Sequence, residues 1–304
     1  KHHFQNNIFP FIKDFEDKRV ESLRTLRSRF LKAILMIIGI FILLCASLLI
    51  LLVSGLGGNA MEFALIVAVV TIIGTIYWVY LPVKRFKTKI KGDVFPEIFK
   101  FFGGDFTYSE DCPTSIRSLK KSGLIPMHND AKTEDYIKGT YNGVSLELFE
   151  AYLRQKGNES NSKTMFKGLF VIFSMNKPFH GKKVVKCDKG KAFNWLTDKT
   201  TQHKLEHVNL EDPVFDEVFE VYSSDQVEAR YLLTTSFMQR LLDLSTLFGD
   251  ADIECSFYDN QVLFKIPSKE NKFEPSSIFQ PVTFEQDSNM ILEEMALFFK
   301  MIKM

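Results

Sequence analysis

The sequence has almost no net charge, few cysteines and none of the common nucleotide or nucleophile motifs. Its 304 residues carry 38 Lys and Arg against 37 Asp and Glu, a formal charge of +1. This balance excludes a nucleic-acid surface spread over the whole chain. A P-loop, a G-x-G-x-x-G loop and a G-x-S-x-G elbow are absent from the sequence. Composition therefore points to no reaction and no cofactor.

The four cysteines form no metal or redox motif. Cys45 falls in a long apolar run, and Cys112, Cys187 and Cys255 are too far apart for C-x-x-C spacing. Three separated cysteines are typical of reduced thiols in a cytoplasmic domain.

A mean hydropathy of −0.02 hides one very uneven region. Two runs, residues 33–53 and 63–83, contain no ionisable side chain. Each has the roughly 20 residues that a helix needs to cross the hydrocarbon core of a membrane. Buried core helices are the alternative, but such helices usually carry a polar stripe. The sequence predicts a transmembrane hairpin over residues 33–83, with residues 54–62 as an outward-facing loop.

The basic residues predict the orientation of this hairpin. The loop at residues 54–62 has no Lys or Arg, whereas both outer flanks are basic. By the positive-inside rule we expect both termini to be cytoplasmic and the chain to be a multi-pass membrane protein. The flanking cations are Arg24, Arg27, Arg29 and Lys32 before the hairpin, and Lys84, Arg85, Lys87, Lys89 and Lys91 after it.

The predicted spans offer a packing face and no ion pathway. Transporters and pores place ionisable residues within the membrane, and here there are none. Four small residues of the second span lie on one helical face, which lets helices approach closely. We expect this face to pack against the first span or against a second copy of the chain. These residues are Ala64, Ala68, Thr71 and Thr75.

The rest of the chain predicts an α+β protein. Residues 1–32 form a cytoplasmic amphipathic helix, residues 84–104 a membrane-proximal helical linker, and residues 105–304 a cytoplasmic α+β domain with an antiparallel sheet and packed helices. Asn142-Gly143 predicts a hairpin between strands 135–141 and 144–154, and Asp259-Asn260 predicts one between strands 253–258 and 261–266. Residues 166–175 and 182–187 are expected to pair with each other, and residues 155–163 to form an exposed loop.

Capping patterns predict the helices of this domain. Asp225 with Glu228, and Ser236 with Gln239, have the spacing of capping boxes. The second of these helices is expected to run through Phe248 and to end at Gly249. A last helix is expected over residues 288–303.

Three segments resemble a bacterial family known as domain of unknown function 3137. They are residues 208–241, the segment 135–139 (DYIKG) with Glu147 and Glu150, and the segment 166–170 (FKGLF). The resemblance implies a bacterial membrane-anchored protein with a membrane hairpin ahead of the soluble domain. It implies no established reaction, so it assigns no catalytic residue.

One short motif suggests metal chemistry. His203, Glu206 and His207 match the H-x-x-E-H spacing of a class of zinc peptidases, which carry it on a helix. The residues that follow, 208–210, are typical of a strand instead, so these side chains are better interpreted as a solvated alternating face.

Asp225, Glu228 and Arg230 are the polar cluster best suited to contact a partner. The competing interpretation is that Asp225 and Glu228 cap and charge a helix N-terminus.

The sequence thus predicts a non-enzymatic, membrane-anchored scaffold or accessory subunit of a bacterial inner-membrane assembly. Membrane lipids and proteins are the expected partners, including further copies of the chain, and nucleic acid is not. A lipid-binding protein is the first alternative, and a zinc hydrolase using His203, Glu206 and His207 is the second.

Overall fold

The computed structural model describes residues 2–54, 59–100, 105–157, 161–175, 178–187, 205–249, 251–269 and 296–301. These residues divide into two compact units. The first contains the described residues up to Ile90, and the second contains those from Lys91 onward.

Two long helices make up the first unit. Helix α1 spans His2–Ser54, and α2 spans Asn59–Lys100, whose last ten residues belong to the second unit. The segments Glu16–Ala46 and Leu65–Asp93 are long and apolar enough to cross a membrane. Both helices run without a break through the predicted boundaries at 32/33 and 83/84, so the segments that flank the apolar runs are helical too. Residues 59–62 of the expected outward loop are likewise helical.

A polar contact joins the two helices. Arg29 of α1 donates through Nη1 to the main-chain oxygen of Trp78 in α2, over 3.0 Å. The same guanidinium lies over the Trp78 ring, 4.9 Å from its centroid. This contact combines a charge-assisted hydrogen bond with a cation–π interaction.

The second unit is built on a nine-stranded, wholly antiparallel sheet with strand order β1-β2-β3-β4-β9-β8-β5-β7-β6. The α+β fold class is confirmed. The strands are β1 (Thr107–Ser109), β2 (Asp130–Tyr141), β3 (Val144–Lys156), β4 (Ser162–Ser174), β5 (Lys183–Cys187), β6 (Glu206–His207), β7 (Phe219–Ser223), β8 (Glu254–Tyr258) and β9 (Gln261–Pro267).

Short helices accompany the strands. They are a 3-10 helix at Ser118–Ser122, α3 (Pro213–Asp216), α4 (Gln226–Leu232), α5 (Thr235–Leu247) and α6, residues 296–301. Helix α5 begins at a Thr234 cap, whose Oγ1 accepts from the amide of Phe237 over 3.2 Å. The expected cap at Ser236 is wrong, because Ser236 already lies in the first turn. Of the expected last helix, residues 288–295 and 302–303 lie outside the described residues.

Both faces of the sheet are buried. Phe257 and Phe264 lie in a core with Phe237 of α5 and Phe298 of α6, so helices cover this face. Leu263, between two residues of the first core, lies in a second core with Leu119 of the 3-10 helix and Leu124. The period-2 alternation of a strand divides neighbouring side chains between the two cores.

The two tight hairpins are confirmed. Asn142 and Gly143 join β2 to β3 with φ angles of 49° and 78°, and Asp259 begins the β8–β9 turn with a φ of 50°. The predicted pairing of residues 166–175 with 182–187 is wrong. Strand β4 pairs with its sequence neighbour β3 and with the distant β9, whereas β5 pairs with β7 and β8. The burial of both faces selects these partners, and local sequence does not indicate them. The expected loop at 155–163 is also shorter, since β3 and β4 pair as far as Lys156 and Ser162.

Asp135, the first residue of the DYIKG segment, lies in a β-bulge and binds a buried lysine. Its φ is 56°, at the register shift between Glu134 and Ile137. Lys91 donates to both carboxylate oxygens over 2.9 and 2.7 Å, and the Tyr108 hydroxyl donates to Oδ1 over 2.6 Å. The bulge turns this carboxylate toward the helical residue Lys91 and the strand residue Tyr108.

Two glycines of the family-like segments have steric explanations. A Cβ on Gly139 would lie 2.3 Å from the Phe106 ring. A Cβ on Gly168, where φ is 152°, would lie 2.0 Å from the main-chain oxygen of Ile266 in β9. Both positions need glycine because a neighbouring group takes the space of a side chain.

Asp135→Asn tests how much the buried pair stabilises the second unit. Asn keeps the shape and tolerates the positive φ, but it removes the carboxylate charge that the buried Lys91 ammonium contacts. We expect a loss of about 3–5 kcal/mol in the free energy of unfolding. The measurement is denaturant-dependent labelling of the fully buried Cys255 thiol in the full chain, quantified by peptide mass spectrometry.

Lys121→Ala is the matched control, because Lys121 and Asp259 form an exposed ion pair at 3.2 Å. It is expected to cost less than about 1 kcal/mol. Equal effects of the two substitutions would contradict the role given to Asp135.

Candidate functional site

Helix α4 carries the three predicted partner-contact residues, and its first turn is fixed by capping. Asp225 accepts through Oδ1 from the amide of Glu228 over 3.0 Å. The Ser223 hydroxyl accepts from the Asp225 amide over 2.9 Å and donates to the Asp225 main-chain oxygen over 2.6 Å. Asp225 therefore acts as the N-cap of this helix.

Glu228 does not complete the capping box and binds a buried lysine instead. Its Oε2 contacts the Nζ of Lys183, whose side chain is fully buried at the start of β5. Its Oε1 accepts from the main-chain amide of His180 over 3.1 Å and lies 3.2 Å from Nδ1 of that ring. Nζ of Lys183 also donates to the main-chain oxygen of His180 over 2.5 Å.

Burial lowers the pKa of the Lys183 ammonium, and the Asp225 carboxylate opposes that shift. A cation removed from water in this way depends on its contact with Glu228. This pair could not be predicted from the sequence, because the segment 182–186 (KKVVK) is typical of a strand with lysines on its solvent face.

The opposite side of α4 exposes large side chains to solvent. Val227 and Tyr231, four residues apart and so on one helical face, are each 79% exposed. Arg230 is exposed beside them. Within the part of the chain that the structure describes, its guanidinium donates through Nη2 to Oε1 of Gln226 over 3.5 Å. We call Val227, Arg230 and Tyr231 the α4 surface. Exposed large apolar side chains next to an arginine are typical of protein contact sites.

The zinc-like motif lies on a strand where the structure describes it. Glu206 and His207 form β6 and pair with β7, while His203 lies outside the described residues. Adjacent strand residues point to opposite faces, so Glu206 and His207 cannot share the helical face that the peptidase motif requires. Glu206 accepts from Gln226 over 3.3 Å, and the His207 ring lies 5.5 Å from that of Tyr222. Residues 208–210, interpreted as a strand, follow β6 as irregular chain.

The small residues of α2 differ in their surroundings. Ala68 and Thr75 are buried within the single chain, and Thr71 is exposed. The hydroxyls of Thr71 and Thr75 donate to the main-chain oxygens of Val67 and Thr71, over 2.7 and 2.8 Å. Of Ala64 only its place in α2 is described. The expected packing role of these four residues stays a prediction.

Within the described ranges, no group of three or more His, Cys, Asp or Glu side chains could hold a metal ion. Burial raises the pKa of the Cys112 and Cys255 thiols, which disfavours the nucleophilic thiolate. Neither thiol has the environment of a reactive cysteine.

A polar cleft of about 430 Å³ lies beside the N-terminal part of β2. Arg117, Lys120 and His128 line it, and no Asp or Glu does. Glu147 borders it, accepting from the lining residue Thr114 over 2.8 Å and pairing with Lys138 at 3.1 Å. The cleft suits a small anion, but no group placed to perform a reaction lines it.

These features define an α+β protein with two apolar helices and a two-faced antiparallel sheet. Residues 164–304, slightly less than half of the chain, match the family described as protein of unknown function (DUF3137). The resemblance is confirmed for this part of the chain. The DYIKG segment, Glu147, Glu150 and the apolar helices precede the matched residues.

Comparison with other proteins adds little beyond the family. No curated protein matches the sequence. One similar solved structure is the crystal structure of the mycobacterial trehalose monomycolate transport factor A, TtfA, at 13% identity and a TM-score of 0.32. The match covers 68% of this chain and 96% of that one. A TM-score this low does not establish a shared fold.

Substitutions in α4 separate the structural carboxylate from the α4 surface. Glu228→Gln leaves the Lys183 ammonium buried without its counter-ion, so we expect a loss of about 3–5 kcal/mol in unfolding free energy.

Asp225→Ala removes a helix cap and is expected to lower the free energy of unfolding by about 1 kcal/mol. Arg230→Ala should change stability by less than about 0.5 kcal/mol. Cys255 labelling against denaturant measures all three.

The double variant Lys183→Met/Glu228→Gln is expected to recover most of the loss, because it removes both charges. A large loss for Arg230→Ala, or none for Glu228→Gln, would reverse the assignment.

Proposed function

We propose that this protein is a non-enzymatic scaffold or accessory subunit of a bacterial inner-membrane assembly. Helices α1 and α2 anchor it as a multi-pass protein with cytoplasmic termini. The second unit binds a protein partner through the α4 surface. The proposal depends on this surface because its large side chains are exposed, whereas the nearby carboxylates of Asp225 and Glu228 bond within the chain.

The composition of the first unit supports the anchor. Leu35, Leu43, Phe63 and Val70 are all exposed on α1 and α2, and no ionisable side chain interrupts the two apolar runs. Exposed apolar surface of this extent is stabilised by lipid and is costly in water. The basic flanks favour cytoplasmic ends.

The chemistry of the α4 surface supports a protein partner. Tyr and Arg are the side chains that most often dominate protein interfaces, and Val227 extends the apolar area. The packed side of α4 is fixed by the fully buried Ala229, and its N-terminal turn by the Asp225 cap. A rigid helix that presents Tyr231 and Arg230 fits a partner with an apolar pocket beside a carboxylate.

Cysteine accessibility tests the topology. A cysteine introduced at Asn59 should react with a membrane-impermeant maleimide in intact bacteria, because Asn59 is the first residue of α2 and precedes the second apolar run. A cysteine at Lys89, beyond the second apolar run, should react only after lysis. Labelling of Lys89→Cys in intact cells, or protection of both positions before and after lysis, would contradict the proposed anchor.

Site-specific crosslinking tests the partner surface. A photo-crosslinking amino acid at Val227 of the full chain in native membranes should give one discrete adduct with a protein. Tyr231→Ala should reduce its yield by about tenfold, the effect of a dominant interface residue. Arg230→Ala should reduce it less.

Met127 provides the matched control position, because it is 80% exposed and follows the segment that covers the other face of the sheet. The same crosslinker there should give no such adduct. An adduct at Val227 that persists unchanged with Tyr231→Ala would exclude the α4 surface as the contact.

A further inference from the structure

Helices α1 and α2 enclose a cleft beside the basic ends of the apolar runs 33–53 and 63–83. Its volume is about 400 Å³, and Lys18 and Arg29 of α1 face Arg85 and Lys89 of α2 across it. Glu21 is the one carboxylate among the described lining residues. The lining therefore has a formal excess of three positive charges.

Polar and apolar groups complete this cleft. The hydroxyls of Ser22 and Thr25 lie in its α1 wall, and the buried side chains of Pro82 and Phe86 lie in its α2 wall. The Arg29 guanidinium is held on Trp78 by its hydrogen bond and ring contact. Guanidinium, ammonium and hydroxyl donors converging on one cleft match the several acceptor oxygens of a phosphate group.

The position of the cleft along the helices indicates where that phosphate comes from. Arg29 lies four residues before the apolar run at 33–53, about 6 Å along a helix, and Arg85 lies two residues after the run at 63–83. If these runs cross the membrane, as proposed above, both guanidinium groups lie at the level of the lipid headgroups. The cleft is too small for an element of a partner protein.

We infer that this cleft binds the phosphate of an anionic glycerophospholipid in the cytoplasmic leaflet. The inference rests on the proposed membrane anchor and is independent of the α4 surface. An anionic headgroup is favoured over a zwitterionic one, because a second positive charge in the headgroup would be repelled by the cationic walls. Phe86 and Pro82 offer apolar contact to the glycerol and upper acyl region.

The test uses the full chain in nanodiscs of phosphatidylcholine that contain increasing phosphatidylglycerol. After release into mild detergent, native mass spectrometry measures the ratio of phosphatidylglycerol-bound to lipid-free protein. Replacing the two cations of the α2 wall with Arg85→Gln/Lys89→Gln should lower this ratio by at least about tenfold.

The matched control is Lys32→Gln/Lys84→Gln. It removes the same total charge from the basic flanks, one residue on each helix, and neither side chain is among the described residues that line the cleft. We expect the control to keep the ratio within about twofold of the original protein. Equal losses in both variants would mean diffuse attraction of anionic lipid and would overturn the site.

A second arm distinguishes a lipid from free phosphate. Inorganic phosphate added at millimolar concentration to the phosphatidylglycerol-bound protein should leave the ratio unchanged. Displacement of the lipid by inorganic phosphate would show a phosphate site that does not select a lipid, and would overturn the lipid assignment.

Two readouts separate this inference from the proposals on which it depends. A chain that fails to enter nanodiscs would overturn the membrane anchor together with the lipid site. A chain that enters them but retains phosphatidylglycerol no better than the cleft variant would overturn the lipid site alone. Cys255 labelling checks that both double variants keep a folded second unit.

Discussion

The antiparallel sheet buries side chains on both faces, and this burial determines what the rest of the second unit must supply. In β9, Val262 and Phe264 contact the helical side while Leu263 contacts the side of the 3-10 helix. Strands buried on both faces leave no solvent for a charged side chain. Each cation or carboxylate that enters this environment therefore needs a partner from a distant segment.

The two buried ion pairs meet this requirement in the same way. Lys183 of β5 is paired by Glu228 of α4, and Asp135 of β2 is paired by Lys91 of α2. Each pair joins a strand to a helix remote in sequence. A buried pair adds little net stability compared with apolar residues of the same shape, but losing one partner is costly. The pairs therefore specify which residues of distant segments come together in the second unit.

What the sequence predicts well is local, and what it misses is set by distant segments. The turns at Asn142-Gly143 and Asp259-Asn260 were predictable, because their positive φ angles select those residues within two positions. The pairing of β4 with β9 was not, because it joins strands almost a hundred residues apart and depends on filling both cores.

The same distinction applies to the candidate site. The capping role of Asp225 follows from its spacing to Glu228, so it was readable from the sequence. The ion pair between Glu228 and Lys183 could not be predicted, because nothing in the sequence distinguishes a buried strand lysine from an exposed one. The exposure of Val227 and Tyr231 could not be predicted from the sequence either. A seven-residue helix is too short for helical periodicity to show which of its faces is buried.

Apolar exposure is distributed differently in the two units. In the second unit it is confined, among the described residues, to Met127, Val214 and the neighbouring pair Val227 and Tyr231. In α1 the five consecutive residues from Ile34 to Ile38 are all exposed, and in α2 Leu65, Ile66 and Val67 are too.

Consecutive helical residues point in directions about 100° apart, so five of them cover the whole circumference. A partner protein or a second copy covers one side of a helix, whereas lipid covers every side. The exposure around α1 is thus the observation on which the proposed membrane anchor depends, because a second copy would cover one side of the helix only. In the proposed anchor, lipid surrounds the apolar runs uniformly, so these runs cannot distinguish one lipid from another. The charged flanks include the Arg29–Trp78 contact and the cleft beside it. They are therefore the part of this unit suited to recognise one kind of lipid.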